Sequence, residues 1–154
     1  TTERSKKVNF TIPYYFSGAQ VMVRKDSPIK SAKDLQGKII GVVTGTTFAD
    51  DAVKLGAKEA KLYKDDTQTL MELNNGVVDG VITDRIVGVT AMNSGKFAIS
   101  MLGSPLRSEY IAVALRKEDD TLLKKINEEL SAMHKDGTLS GISQKWLNTD
   151  ITVH

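Results

Sequence analysis

Apolar residues along the chain recur in two rhythms. Short continuous runs mark buried strands, and a spacing of three to four marks helices. Ala19 to Arg24 predicts a strand around Val21, Met22 and Val23. Lys38 to Val43 (KIIGVV) and Gly80 to Thr83 (GVIT) are runs of the kind found in parallel sheets covered on both faces. Ala60 to Tyr63, Lys96 to Met101 and Tyr110 to Leu115 predict further strands. Helices are predicted between them: a short one after Ser31, one from about Phe48 to Leu55, one from Asp66 to Asn75, and one from Asp84 to about Asn93. Ser31 is a suitable N-cap with Asp34 in the first turn, and Gly37 a suitable stop. Two more helices close the chain. One carries Leu123, Ile126, Leu130 and Met133 as a stripe, and the other Leu139, Ile142 and Trp146. Strands alternating with helices predict an α/β fold with a mostly parallel sheet.

Composition narrows the chemistry. The chain has 154 residues, 40% hydrophobic and 26% charged, with 21 Lys and Arg against 19 Asp and Glu. A net charge of +2 gives no reason to expect a nucleic-acid or anionic-membrane partner. No apolar run approaches the roughly 18 residues of a membrane span. There is no cysteine, and the two histidines are His134 and His154, so thiolate catalysis and a Ser-His-Asp triad lack raw material. No metal, cofactor or catalytic residue is expected. The N-terminus lacks a signal peptide and opens on Thr1-Thr2-Glu3-Arg4, as if in mid-fold. The expectation is a fragment whose export signal went with the missing part.

In α/β sheets, ligands bind beyond the carboxyl ends of strands, where loops enter helices. Val43-Thr44-Gly45-Thr46-Thr47 has that placement. Gly45 permits a sharp turn, the next helix offers its unpaired N–H groups, and the Thr46 and Thr47 hydroxyls can add donors for a carboxylate or phosphate. A plain Thr N-cap is the simpler account of the same residues, and no P-loop signature is present. Asp84 ends the GVIT strand, where it can either cap a helix or pair with an ammonium group. Arg4, in a charged run with Lys6 and Lys7, is either solvated surface or a bidentate carboxylate clamp. Together Arg4, Thr46, Thr47 and Asp84 supply what a zwitterion needs. Thr44 and Phe48 flank the turn and are candidates to touch a ligand side chain. Asp50 and Asp51 are expected on the following helix as solvated charges, and Arg85 and Arg107 are further candidates near the site or a hinge.

The N-terminal pattern Thr1 to Tyr15 (TTERSKKVNFTIPYY) resembles the segment leading into the first hinge of bacterial polar amino-acid-binding proteins, the extracytoplasmic receptors of amino-acid ABC transporters (solute-binding proteins, family 3). Gly18 to Lys25 (GAQVMVRK), Ser31 to Gly37 (SAKDLQG), Gly41 to Thr47 (GVVTGTT) and Asp79 to Arg85 (DGVITDR) are similar to the family's motifs in order and spacing. Tyr110 to Lys117 (YIAVALRK) resembles its return strand, and Gly137 to Leu147 (GTLSGISQKWL) its C-terminal helix.

The resemblance implies the two-lobed, type II periplasmic-binding-protein-like fold, with lobe 2 complete and the C-terminal part of lobe 1. Residues 1–18 would end lobe 1 and form the first hinge, 19–104 lobe 2, 105–110 the second hinge, and 111–154 the return to lobe 1. It implies that Arg4 and the Gly45-Thr46-Thr47 turn bind the α-carboxylate of a free L-amino acid, polar or charged, and that Asp84 binds its α-ammonium. It implies a periplasmic or cell-surface lipoprotein receptor that passes its ligand to an ABC-transporter permease and makes or breaks no bond. A sensing domain of a signalling receptor and a dehydratase on the same scaffold are the alternatives. About 70 to 90 residues of the family's first lobe have no counterpart here. The apolar stripe of the C-terminal helices is therefore expected to need a partner, either the missing lobe-1 segment or a second copy of the chain.

Overall fold

The computed structural model describes residues 2–153. In chain order the elements are α1 (Thr2–Lys7), β1 (Asn9–Phe10), β2 (Tyr15–Arg24), a 3-10 turn (Ala32–Leu35), β3 (Ile39–Val43), α2 (Phe48–Lys54), β4 (Glu59–Tyr63), α3 (Asp66–Asn74), β5 (Gly80–Asp84), α4 (Arg85–Asn93), β6 (Ile99–Met101), β7 (Ser108–Ile111), β8 (Ala114–Leu115), α5 (Asp120–Lys135) and α6 (Thr138–Leu147). They form two compact units. Unit 2 is the continuous segment Gly18–Ser108, and unit 1 gathers the residues up to Ser17 with those from Glu109 onward.

Unit 2 is built on a sheet in the order β4-β3-β5-β2-β6. β3 runs parallel to both β4 and β5, with Ile40 opposite Gly80 and Gly41 opposite Val81. β2 runs antiparallel to β5 and β6, with Ala19 opposite Asp84 and Met22 opposite Met101. The sheet is therefore mixed, not mostly parallel. A strand buried on both faces is a continuous apolar run in either direction, so the run in β2 could not signal its reversal.

Successive side chains of a strand point to opposite faces, and the core divides accordingly. Val21, Val23, Ile40, Val42 and Ile82 join Ala52 of α2 and Leu35 of the 3-10 turn on one face. Met22, Val81 and Ile99 join Leu70 and Leu73 of α3 on the other, with Val87 and Ala91 of α4 packed against them. The expected short helix is a 3-10 turn, and it is held not by a Ser31 side-chain cap but by Asp34 Oδ2, which accepts from the backbone N–H groups of Lys30 (3.0 Å) and Ser31 (2.9 Å).

Unit 1 pairs β1 with β8 in a two-residue antiparallel ribbon beside α5 and α6. Polar contacts fix its segments. Asn127 Oδ1 accepts from Ile12 N (2.8 Å), the His134 ring lies 2.9 Å from the Pro13 carbonyl, and Phe16 N donates to Ile151 O (2.7 Å). The expected strand from Tyr110 to Leu115 is broken into β7 and β8. At Val113 the ladder to β1 keeps one bond, its carbonyl accepting from Thr11 N, while its own N–H goes to the Thr11 hydroxyl, both at 3.0 Å. Lys96 to Ala98 stays outside β6 because Ala98 N bonds the Asn74 side chain instead (2.9 Å). No residue of α5 is buried, and Trp146 of α6 is 73% exposed.

Candidate functional site

β3 and β5 are hydrogen-bonded neighbours running in the same direction. Their register carries them to level ends, so the chain leaves both strands at one edge of unit 2. From β3 it enters the turn Thr44-Gly45-Thr46-Thr47, and from β5 it reaches Asp84. Gly45 has φ +79°, and a methyl group there would meet nothing within 4 Å. The glycine therefore serves the left-handed turn and not a close approach. Thr44 N donates to Tyr63 O (2.9 Å), which ties the turn to the neighbouring β4.

The two threonines of the turn differ. Thr46 donates both its hydroxyl (2.7 Å) and its N–H (3.3 Å) to Val43 O and so closes the turn on itself. Thr47 is exposed and stands at the N-cap position of α2, yet its side chain makes no cap bond. Its backbone is helical there (φ −75°, ψ −3°), whereas a capping side chain needs an extended residue. The plain Thr N-cap is therefore not what this segment forms. Thr47 Oγ1 instead accepts from Arg107 Nη2. The same guanidinium donates through Nε to Asp51 Oδ2 (3.0 Å) and lies 5.7 Å from the centre of the half-buried Phe48 ring.

Asp51 corrects an expectation. It lies on α2 as expected, but it is only 6% exposed and is ion-paired, not solvated; Asp50 is exposed. Burying a carboxylate requires a partner, and Arg107 supplies it. Arg107 thus proves to be part of this edge of unit 2. Arg85, the other arginine considered, opens α4 with its Nε buried and without a hydrogen bond.

Asp84 is half-buried and caps α4, with Oδ1 accepting from Ile86 N (2.8 Å). Thr46, Thr47 and Asp84, with Thr44 and Phe48 beside them, all belong to unit 2 and to one edge of its sheet. Arg4 belongs to unit 1, on α1. It is exposed and lines a cavity of about 450 Å³ with Phe10, Thr11, Pro13, Tyr110, Ile111 and Ala112. Among the described residues no group of three or more His, Cys, Asp or Glu could hold a metal ion, and no helix is long and apolar enough to cross a membrane.

The chain matches the sequence profile of the bacterial extracellular solute-binding proteins, family 3, over residues 1–149. It is 34% identical to the L-cystine-binding protein TcyJ of Escherichia coli (strain K12), an alignment covering 97% of this chain and 58% of that protein. Among solved structures it is similar to a substrate-binding protein of an ABC uptake transporter from Streptococcus pneumoniae with bound histidine. That match has a TM-score of 0.77 and 34% identity, and covers 100% of this chain and 67% of the other. The unliganded, open L-cystine solute receptor of Neisseria gonorrhoeae shares the fold, with a TM-score of 0.84 at 20% identity, covering 100% of this chain and 66% of that one. The chain thus spans about three-fifths of the curated relative.

Proposed function

The chain belongs to the bacterial extracellular solute-binding proteins of family 3, and from that premise we propose that it forms the larger part of an extracytoplasmic receptor for a free L-amino acid. The observation that carries this reading is the edge where β3 and β5 end side by side. A glycine turn there presents the Thr47 hydroxyl, and Asp84 presents a carboxylate. Those two groups suit the two charges of a zwitterion. In this reading the turn and Arg4 take the α-carboxylate, and Asp84 takes the α-ammonium. Thr46 contributes chiefly by closing the turn. Tyr14 to Gly18 and Pro105 to Tyr110 serve as hinges, and closure on the ligand is a hinge motion.

The relatives named above are binding proteins. Accordingly, the intact receptor makes or breaks no bond and delivers its amino acid, polar or charged, to an ABC-transporter permease. The apolar faces of α5 and α6 are covered by the lobe-1 segment of the longer receptor or by a second copy of the chain.

The test is isothermal titration calorimetry of the intact parent protein and of this chain, against the twenty L-amino acids and L-cystine. The parent is expected to bind at least one with micromolar Kd or tighter, about 8 kcal/mol, and Asp84→Ala is expected to abolish that binding. Absence of binding by the parent, or turnover of a cyclohexadienyl substrate such as prephenate, overturns the reading.

A further inference from the structure

We propose that Arg107 is a positioning residue for the amino-acid site, holding the Thr47 hydroxyl in the orientation that selects a carboxylate. The inference rests on the functional reading above and deepens it.

Thr47 has no orienting bond from the cap it nominally occupies. An exposed hydroxyl without a fixed partner samples several rotamers and binds any donor or acceptor. Here Arg107 Nη2 donates to Thr47 Oγ1 and fixes the oxygen as an acceptor on that side. The hydroxyl proton is then directed away from the guanidinium. A charge-assisted bond received by the oxygen also polarises the O–H, which strengthens it as a donor to an anion.

Arg107 is itself held from several sides. Its Nε donates to Asp51, which is buried on α2 and cannot lose its counter-charge without penalty. Its guanidinium lies over Phe48. Its backbone carbonyl accepts from Ala19 N (3.2 Å), and Leu106 N donates to Ala19 O (2.8 Å). The neighbouring Gly18 has room for no side chain, since a Cβ there would lie 2.1 Å from the Arg107 oxygen. The fork geometry is essential. One planar group reaches Asp51 with one nitrogen and Thr47 with another, which a lysine ammonium at the end of a flexible stem does not reproduce.

The experiment measures, on the intact parent protein, the ratio of affinities for a free amino acid and for its α-carboxamide. L-cystine, L-histidine and L-arginine are the probes, each compared with its amide. The unaltered protein is expected to prefer the acid. Arg107→Lys keeps a positive charge for Asp51 and is expected to lower that preference about 10-fold, the size of one charge-assisted hydrogen bond. Thr47→Ala should lower it as much, Thr47→Ser should restore it, and adding Arg107→Lys to Thr47→Ala should lower it no further. The thermal melt of each variant is recorded alongside. Thr47→Ala leaves the Arg107–Asp51 pair in place and keeps the test valid if Arg107→Lys melts early.

A purely structural role for Arg107 would weaken acid and amide alike and leave the ratio unmoved. That result, losses that multiply in the double variant, or a Thr47→Ser variant that fails to recover overturns the positioning role while the receptor reading stands. If the unaltered protein binds none of the twenty L-amino acids and not L-cystine, the receptor reading falls and this inference falls with it; if it binds only other acids, those acids and their amides are the probes.

Discussion

The two units differ in how they obtain a core. Unit 2 is one uninterrupted segment whose sheet is covered on both faces, and among the described residues it holds all but three of the buried apolar side chains. Those three, Leu115, Leu139 and Ile151, are what unit 1 has, and all come from its C-terminal piece, the piece up to Ser17 adding none. Unit 1 is held largely by side-chain-to-backbone bonds, such as Asn127 to Ile12, Ser143 to Thr149 and Thr11 to Val113. Its longest helix buries no residue, and Leu122, Ile142 and Trp146 are about half exposed or more. Hydrophobic burial scales with apolar area removed from water, so this chain should draw its stability mainly from unit 2.

The most direct way to break that contrast is to cut the same kind of side chain in each unit. Leu73 of α3 is fully buried, and Leu73→Ala should destabilise the chain by about 3 kcal/mol in urea unfolding. Ile126 of α5 is only half-buried, and Ile126→Ala should cost less than about 1 kcal/mol. Equal losses would mean that unit 1 carries more of the core than its burial indicates.

The contrast extends to ligand binding, because Asp84 is on unit 2 and Arg4 on unit 1. Asp84→Asn is the sharper substitution, since Asn caps a helix about as well as Asp but brings no charge. In the intact parent it should reduce amino-acid affinity about 100-fold by calorimetry, while the melting temperature moves little. Arg4→Lys should reduce affinity about 10-fold by replacing two parallel bonds with one. A melting temperature that falls with Asp84→Asn while affinity holds would make Asp84 a cap and nothing more.

Gly18→Ala tests the point where the chain enters unit 2. The added methyl meets the backbone oxygen of Arg107, which cannot swing aside as a side-chain end can, and the Pro105 Cβ at 3.1 Å. The expected destabilisation is about 2 kcal/mol, read by urea unfolding, through forced displacement of the Arg107 backbone. An unchanged midpoint would show that Arg107 is held less firmly than its contacts imply.

Much of unit 2 could be read from local pattern. The KIIGVV and GVIT runs became β3 and β5 to within a residue, and Asp84 became the cap its position allowed. What escaped was whatever depends on distant partners or on very short elements. Asp51 and Arg107 are 56 residues apart, and no periodicity marks either as half of a buried pair. α1 has six residues, too few to display a helical stripe, although its Glu3–Lys6 pair (2.7 Å) is a helical spacing. The break between β7 and β8 accompanies the loss of the Val113 N–H to the Thr11 hydroxyl, which sequence adjacency cannot announce.

The smallest expected effect concerns acid, and it separates the units by where their carboxylates act. Asp150 of unit 1 has its carboxyl held below the ordinary value of 3.8, first by the Ser140 hydroxyl and then by the Thr152 hydroxyl (2.7 Å) and N–H (2.8 Å). A nearby positive His134 helps slightly, and partial desolvation opposes. A carboxyl depressed in the folded state stabilises fully above its unfolded value, and that contribution disappears as pH falls through the folded value. The window is therefore below about pH 4. Asp150 links α6 to the segment whose Ile151 carbonyl receives the Phe16 N–H, so its protonation loosens a junction that unit 1 has little apolar core to replace. Asp150→Asn should lower the protection of the Phe16 amide in hydrogen exchange at neutral pH. The difference from the unaltered chain should shrink as pH drops below 4, because the native carboxylate is then lost as well. Exchange in the β3 and β5 amides should not distinguish the two proteins at any pH. A difference there would mean that the units do not open separately, and that the contrast in their cores does not govern how the chain unfolds.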